Sequence, residues 1–116
     1  HELVRRVPVS ESVLRYAVDL VRASRPNPNG KALDFVQKWI SYGASVRAAQ
    51  YLVLGSKARA LTQGRYHVSF DDIKSLAHPV LRHRILTNFH AESEGRTSGE
   101  LIDMLLEAVP VPSSGL

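Results

Sequence analysis

The sequence has no cysteine at any of its 116 positions. Disulfide frameworks, thiolate zinc sites and cysteine nucleophiles are therefore excluded together. It also has no apolar run near the roughly 18 to 20 residues that a membrane-spanning helix needs, and its first residues do not resemble the apolar part of a secretory signal. Because a chain without cysteine suits a reducing compartment, we expect a cytoplasmic protein.

A phosphate-binding P-loop is missing as well. The motif requires Gly-x-x-x-x-Gly-Lys-Ser/Thr, and Gly30-Lys31 lacks both the upstream glycine and the following hydroxyl residue. No acidic pair follows an apolar strand-like run, where magnesium would be held. We therefore expect that this chain is not an enzyme by itself.

What the sequence does contain is enough for one folded domain. Hydrophobic residues make up 44% and charged residues 22%, which is ordinary for a globular protein. This length fits a single domain over residues 1–116. Because the sequence opens with His1 rather than methionine, we expect it to be a piece of a longer protein.

The net charge of +4 is unevenly distributed along the chain. Residues 31–66 contain six Lys or Arg against one Asp, whereas residues 67–116 contain four basic and seven acidic residues. A basic middle attracts anions, such as nucleotide phosphates, nucleic acid or the acidic face of a partner. An ordinary solvated basic surface is the equally weighted alternative.

Amphipathic patterns and capping residues predict four or five helices. Ser10 can cap a first helix over Glu11–Ser24, and Ser69 with Asp72 has the spacing of a capping box. The other predicted helices are a short one at Ala32–Trp39, a long one at Val46–Gln63 that is capped by Ser45 and followed by Gly64, and a last one that opens with a second capping box, Thr97 and Glu100.

Two segments are less regular. Pro79 should end the helix that follows Ser69 at Ala77 or His78, because proline lacks a backbone donor and clashes with the preceding turn. Arg84–Asn88 fits either a short strand or a helical turn. Several helices with short connections predict an all-α fold, a helical bundle or orthogonal array with room for a minimal two-stranded β pair.

The candidate binding segment is the turn that leads into the long helix. Arg47 lies in the first turn of that helix, where free N–H groups and the helix dipole already make the end electropositive. The arginine is unfavourable there by a few tenths to about 1 kcal/mol, unless a phosphate binds at the same end. Gly43, Ala44, Ser45 and Arg47 are therefore a candidate phosphate site, although helix physics alone favours an Arg47 without a phosphate. A solvated or carboxylate-paired Arg47 is the alternative.

Other polar residues carry weaker signals. No two histidines are spaced as a metal pair on one helix face, so no metal site is predicted. Glu92 and Glu94 lie in an expected loop, which offers no cleft for an acid–base pair. Trp39 and Tyr42 are expected to pack in the core or at its rim rather than on a nucleotide base. The histidines considered are His67, His78, His83 and His90.

Several segments resemble the C-terminal lid domain of MoxR-type AAA+ ATPases. Tyr42–Ala48 is similar to the family's Gly-Ala-Ser-Pro-Arg-Ala segment, with Val46 in place of the proline. Ala77–Ile85, which reads Ala-His-Pro-Val-Leu-Arg-His-Arg-Ile, is the most distinctive match. The remaining similar segments are Arg5–Ser10, Arg22–Arg25, Gly64–Ile73 and Leu106–Pro112. The resemblance therefore covers nearly the whole chain in the right order.

The resemblance implies a role for Arg47 as the sensor 2 arginine, which contacts the phosphates of ATP and assists hydrolysis. It also implies that ATP and its magnesium are held by an ATPase core that this sequence lacks. The implied partners are that core, adjacent subunits of a ring and an unknown client of a chaperone-like or metal-inserting ATPase. Whether Arg82, His83 and Arg84 contact phosphates or a neighbouring subunit is open.

Two other functions stay open. One is a free-standing basic helical module that binds nucleic acid, and the other is a helical bundle that binds only a protein partner. Nucleic acid is the weaker partner, because basic and aromatic residues are not interleaved on one face and the last third of the chain is acidic.

Overall fold

The computed structural model describes residues 6–27 and 32–112. His1, Arg5, Gly30 and Lys31 lie outside these ranges. Within them, no helix is long and apolar enough to cross a bilayer. The elements in chain order are α1 (Glu11–Ala23), α2 (Asp34–Trp39), β1 (Ile40–Tyr42), α3 (Arg47–Thr62), α4 (Phe70–Leu81), β2 (Leu86–Thr87), α5 (Phe89–Ser93) and α6 (Ser98–Ala108). This mostly helical arrangement confirms the predicted fold class.

Four helices enclose the core. α3 packs chiefly on α4, and α1 lies against α3, α4 and α6. Gly55 allows the close approach of α3 to α4, since a Cβ at that position would lie 2.8 Å from Leu76 Cδ1. The small residues Gly55 and Ser56 in the middle of α3 therefore serve helix packing. The large fully buried side chains include Tyr16, Leu20, Leu52, Ile73, Leu81, Leu101, Ile102 and Leu105.

A two-stranded antiparallel sheet joins distant parts of the chain. Ile40 of β1 is opposite Thr87 of β2, and Tyr42 is opposite Leu86. The Asn88 N–H extends the pairing by donating to the Trp39 carbonyl at 2.9 Å. This sheet confirms the minimal β pair and brings the segment after α4 beside the turn that opens α3.

The predicted caps of three helices are confirmed. Ser10 and Thr97 each accept a backbone N–H from the first turn of the helix that they open. Ser69 Oγ accepts the Asp72 N–H at 3.3 Å, and the Asp72 carboxylate accepts the Ser69 N–H at 2.8 Å, which completes the capping box. Glu100 does not complete a second box, because its carboxylate pairs with Arg96 at 3.2 Å.

The predicted end of α4 was wrong. The helix continues through Pro79 to Leu81, and the Arg82 N–H donates to the His78 carbonyl at 3.0 Å beyond the proline. Pro79 is exposed, whereas Leu81 is fully buried, so packing of the last turn outweighs the missing proline donor. The expected loop around Glu92 was also wrong, since Glu92 lies in α5.

Candidate functional site

The turn between β1 and α3 is fixed against the C-terminal end of α1. Ser24 Oγ donates to the Val21 carbonyl at 2.6 Å and accepts the Ala44 N–H at 3.0 Å. Ala44 is fully buried. A Cβ on Gly43 would lie 2.3 Å from the Ser24 carbonyl oxygen, so only glycine permits this approach. Gly43 and Ala44 therefore hold the turn in place.

The start of α3 has no side-chain cap, so the prediction of Ser45 as N-cap was wrong. Val46 occupies the cap position in a helical conformation and makes no side-chain hydrogen bond there. The first turn is tightened instead: the Ala48 N–H donates to the Ser45 carbonyl at 2.9 Å, and the Ala49 N–H donates to the Val46 carbonyl at 3.0 Å. Val46 in the cap position has no polar side-chain atom that could accept an N–H of the first turn, and Ser45 Oγ makes no hydrogen bond within the described residues.

Several hydrogen-bond donors at this end have no partner in the described part of the chain. The N–H groups of Ser45, Val46 and Arg47 have no acceptor among the described residues. The Arg47 side chain is exposed, and it forms no ion pair or hydrogen bond with the described part of the chain. The sequence contains no Asp or Glu between residues 35 and 70 that would neutralise this charge. The carboxylate-paired alternative for Arg47 is therefore not found among the described residues.

A second arginine lies on the same side of α3. The Arg84 guanidinium lies over the Tyr51 ring at 4.7 Å, and its Nη1 donates to the Val80 carbonyl at 2.7 Å. Tyr51 is one helical turn beyond Arg47, so the two share a face of α3. Arg82 and His83 are exposed on the turn that precedes β2. The contact with Tyr51 thus places Arg84 on the face of α3 that carries Arg47, which spacing in the sequence did not reveal.

The start of α4 carries a cluster that sequence reasoning missed. The Asp72 carboxylate is fully buried and pairs with the guanidinium groups of both Arg59 and Arg65. Arg65 and the Ser69 N–H hold the pKa of Asp72 well below its usual range, and the hydrogen bond to Asp72 raises the pKa of Arg65. The predicted capping box identified Asp72 but not its two arginine partners.

Trp39 and Glu94 form a second structural cluster. The Trp39 indole N–H donates to the Glu94 carboxylate, which also lies 3.7 Å from Lys38 Nζ. The hydrogen bond from Trp39 lowers the pKa of Glu94. Cations of Lys38 and Arg96 lie 5.0 and 4.8 Å from the indole ring. The Trp39 side chain is therefore buried and packs in the core, as predicted, whereas the Tyr42 side chain is exposed on the sheet.

The histidines of the described ranges do not converge. His78 Nε2 lies 2.6 Å from Asp103 Oδ1, which joins α4 to α6. No group of three or more His, Asp or Glu side chains in those ranges could hold a metal ion.

An apolar groove of about 400 Å³ runs between α1 and α3 and reaches Val46, the residue before Arg47. It was not predicted, because it depends on the spacing of two helices far apart in sequence. Its lining residues are Leu14, Val18, Val46, Ala49, Gln50, Val53, Leu54 and Lys57.

A family model of the AAA lid domain matches residues 35–105 of this chain. The chain belongs to the AAA lid domain family. This finding confirms the resemblance noted from the Gly43–Arg47 turn and the segment around Pro79.

Individual relatives agree with the family assignment. The chain is 29% identical over 104 residues to Chaperone MoxR1 of Mycobacterium tuberculosis, covering 90% of this chain and 27% of that protein. It is 33% identical over 109 residues to Protein MoxR of Paracoccus denitrificans, covering 90% of this chain and 32% of that protein. The crystal structure of a candidate ATPase from Cytophaga hutchinsonii matches 97% of this chain with a TM-score of 0.88 and 37% identity.

The matched region is a minor part of these proteins. The chain spans about a third or less of the length of its relatives, and 34% of the Cytophaga hutchinsonii chain. Membership of the AAA lid domain family implies packing with an AAA+ core in the same chain.

Proposed function

We propose that this chain is the lid of an ATP-hydrolysing protein and that Arg47 is the sensor 2 arginine that contacts the phosphates of ATP. The observation that carries the proposal is the electropositive start of α3. An exposed, unpaired guanidinium lies there beside three backbone N–H groups without an acceptor in the described part of the chain. Such an end lowers its free energy by binding an anion with several oxygens.

The residues present fit a polyphosphate. The N–H groups of Ser45, Val46 and Arg47 are donors for phosphate oxygens, and the planar guanidinium can donate two parallel hydrogen bonds. The Ala44 N–H is already bonded to Ser24 Oγ, so it is not available to a phosphate. Gly43 and Ala44 therefore contribute to the site by holding the turn in place. Bound ATP supplies the phosphoryl group for hydrolysis, and Arg47 stabilises negative charge on its phosphates.

Nucleic acid fits the basic middle less well. Arg59 and Arg65 are paired with the buried Asp72, and Arg84 is held by a carbonyl and by the Tyr51 ring. These cations do not form the extended, unpaired basic stripe that neutralises a phosphate backbone. A local anion site at Arg47 agrees better with this distribution of charge.

The whole parent is proposed to be a ring-forming ATPase of the MoxR type in the cytoplasm, acting on a protein client as a chaperone-like or metal-inserting enzyme. Magnesium and the remaining nucleotide contacts would come from its AAA+ core. The relative named as a chaperone and the candidate ATPase support this assignment.

Arg47→Ala in the full-length parent tests the proposal. Removing one preorganised donor from a charge-stabilising site lowers turnover by roughly tens- to a thousand-fold. We expect a loss of that size in steady-state ATP hydrolysis, with little change in circular dichroism. Arg47→Lys should recover only part of the rate, because an ammonium lacks the planar pair of donors.

Arg15→Ala is the matched control, since Arg15 is an exposed arginine on α1. It should leave turnover unchanged. Equal turnover in the parent, Arg47→Ala and Arg15→Ala would remove the sensor role while leaving the fold assignment intact.

A further inference from the structure

Arg84 is a second cation on the face of α3 that begins with Arg47. Its guanidinium lies 4.7 Å from the centre of the Tyr51 ring, and its Nη1 donates to the Val80 carbonyl at 2.7 Å. Val80 lies in the last turn of α4, and the carbonyl end of a helix favours a cation. These two contacts hold an exposed arginine in one place, although neither of them supplies an anion to balance its charge.

The contact with Tyr51 brings Arg84 towards the start of α3. Arg47 and Tyr51 are four residues apart and are therefore neighbours on the helix surface. Side chains on a helix lean towards its N-terminus, so the Tyr51 ring covers the turn to which Arg47 belongs. The guanidinium over that ring lies beside the turn whose N–H groups, those of Ser45, Val46 and Arg47, have no acceptor in the described ranges.

Most of the hydrogen-bonding capacity of Arg84 remains available to a ligand. A guanidinium carries five N–H donors in a planar fork, and Nη1 is the one nitrogen of Arg84 that has an acceptor among the residues described by the structure. The edge formed by Nε and Nη2 can donate two parallel hydrogen bonds to one phosphate group. Arg84 is therefore anchored through one nitrogen and can bind an anion through the other two.

Few carboxylates are present that could compete for the two arginines. Between residues 35 and 91 the sequence contains two acidic residues, Asp71 and Asp72, and both belong to the first turn of α4. Arg84 contacts the last turn of that helix. A helix of 12 residues separates its two ends by about 18 Å. Two nearby cations without a counterion favour the binding of an anion that offers several oxygens.

We propose that Arg84 is a second phosphate-binding arginine of this chain and that Tyr51 is the residue that positions it. Arg47 and Arg84 bind different oxygens of one polyphosphate, which is the part of ATP that carries the negative charge. This inference rests on the proposed function and adds to it a residue from the turn after α4, which is distant in sequence from α3.

Equilibrium binding of ATP to the full-length parent tests this assignment. Arg84→Gln removes the charge and keeps a long polar side chain, and Arg15→Gln, at an exposed position on α1, is the matched control. Losing hydrogen bonds to a charged group weakens binding by roughly ten- to a hundredfold. We expect the dissociation constant for ATP to rise by that factor in Arg84→Gln and to stay unchanged in Arg15→Gln.

Salt dependence distinguishes a phosphate contact from a structural role of Arg84. Because salt screens the attraction between a cation and a bound anion, the dissociation constant of Arg84→Gln should change less with added salt than that of the parent. A lower unfolding temperature with unchanged ATP binding and unchanged salt dependence would overturn the proposal. Altered subunit assembly with unchanged ATP binding would also overturn it and would assign Arg84 to a subunit interface.

A double-mutant cycle tests the positioning role of Tyr51. Tyr51→Leu leaves Arg84 without the ring, so ATP binding should weaken, but by less than in Arg84→Gln because the cation is still present. Since the ring acts through the arginine, adding Tyr51→Leu to Arg84→Gln should cause no further loss. Losses that simply add would overturn the positioning role.

The outcomes for Arg84 and for Arg47 are separable. Weakened ATP binding by Arg84→Gln together with normal turnover of Arg47→Ala would retain the second arginine and remove the sensor role. Unchanged ATP binding by Arg84→Gln together with greatly reduced turnover of Arg47→Ala would do the reverse.

Discussion

The starts of α3 and α4 are two helix N-termini in one small domain, and they differ in how many of their free N–H groups have an acceptor. α4 begins with Ser69 and Asp72, whose reciprocal bonds are completed by two arginines. α3 begins without a side-chain cap and with Arg47 in its first turn. The internal cap stabilises the domain, whereas the missing cap leaves donors for a ligand. Local sequence rules hold at the structural end and fail at the proposed functional end.

The largest stability effect should come from the α4 end. Asp72→Asn removes the charge from a fully buried carboxylate that balances Arg59 and Arg65. We expect a loss of about 3 kcal/mol in the free energy of unfolding, measured by urea denaturation of this domain. Asp71→Asn, at an exposed neighbour, is the control and should change stability by less than about 0.5 kcal/mol. Equal effects would mean that the cluster is not stabilising.

The same carboxylate should make stability depend on acid. The folded pKa of Asp72 is lowered, chiefly by the Arg65 hydrogen bond. Its contribution is therefore complete above the unfolded pKa of about 3.9 and is lost as the pH falls from there through the folded pKa. Below about pH 4, the urea concentration at the unfolding midpoint should decrease in the unsubstituted domain, and it should decrease less in Asp72→Asn. Parallel curves for the two proteins would contradict this assignment.

A smaller effect is expected where the turn before α3 contacts α1. Gly43→Ala places a Cβ against the Ser24 carbonyl, so the turn must shift, and we expect a loss of about 1 to 3 kcal/mol in unfolding free energy. ATP turnover of the full-length parent should fall with it, because Arg47 follows the turn. Gly99→Ala is the control: the nearest atom to its new Cβ is 3.9 Å away, so stability should be unchanged or slightly raised.

The smallest effect should come from the charge at the start of α3. Arg47→Glu replaces a cation that opposes the helix dipole by an anion that favours it, so stability should rise by roughly 0.3 to 1 kcal/mol. ATP turnover should nevertheless fall, which separates the stability of this end from its function. Thermal unfolding of the domain and steady-state hydrolysis by the parent measure the two quantities. A fall in both would show that Arg47 has a structural partner.

The reach of local signals explains how much of the fold could be predicted from the sequence. The caps at Ser10, Ser69 and Thr97 were predictable because each depends on residues within one turn. The continuation of α4 past Pro79 was not, because the buried Leu81 that favours it is held by tertiary packing. The missing cap at Ser45 was not predictable either, because the helix begins at Arg47 with Val46 in the cap position, after a turn that is fixed by contacts with Ser24 at the end of α1.

The features of the candidate site can be divided in the same way, into those that local signals identify and those that depend on tertiary contacts. Arg47 could be identified from its position in the sequence, since its conflict with the helix dipole is local. Arg84, the groove and the arginine partners of Asp72 could not, because each arises where segments distant in sequence meet. The resemblance to the MoxR lid added the sensor role, and the family assignment confirms the domain from which that role was taken.

The pairing of β1 with β2 has a consequence for the order in which the chain folds. Ile40 and Thr87 enclose a loop that contains all of α3 and α4, and closing so long an unstructured loop is entropically costly. Prior formation of the α3–α4 hairpin from nearer contacts shortens the loop that remains to be closed. We expect the sheet to form late and to open early in local unfolding. The turn before Arg47, attached directly to β1, would then exchange its amide protons faster than the helices around it.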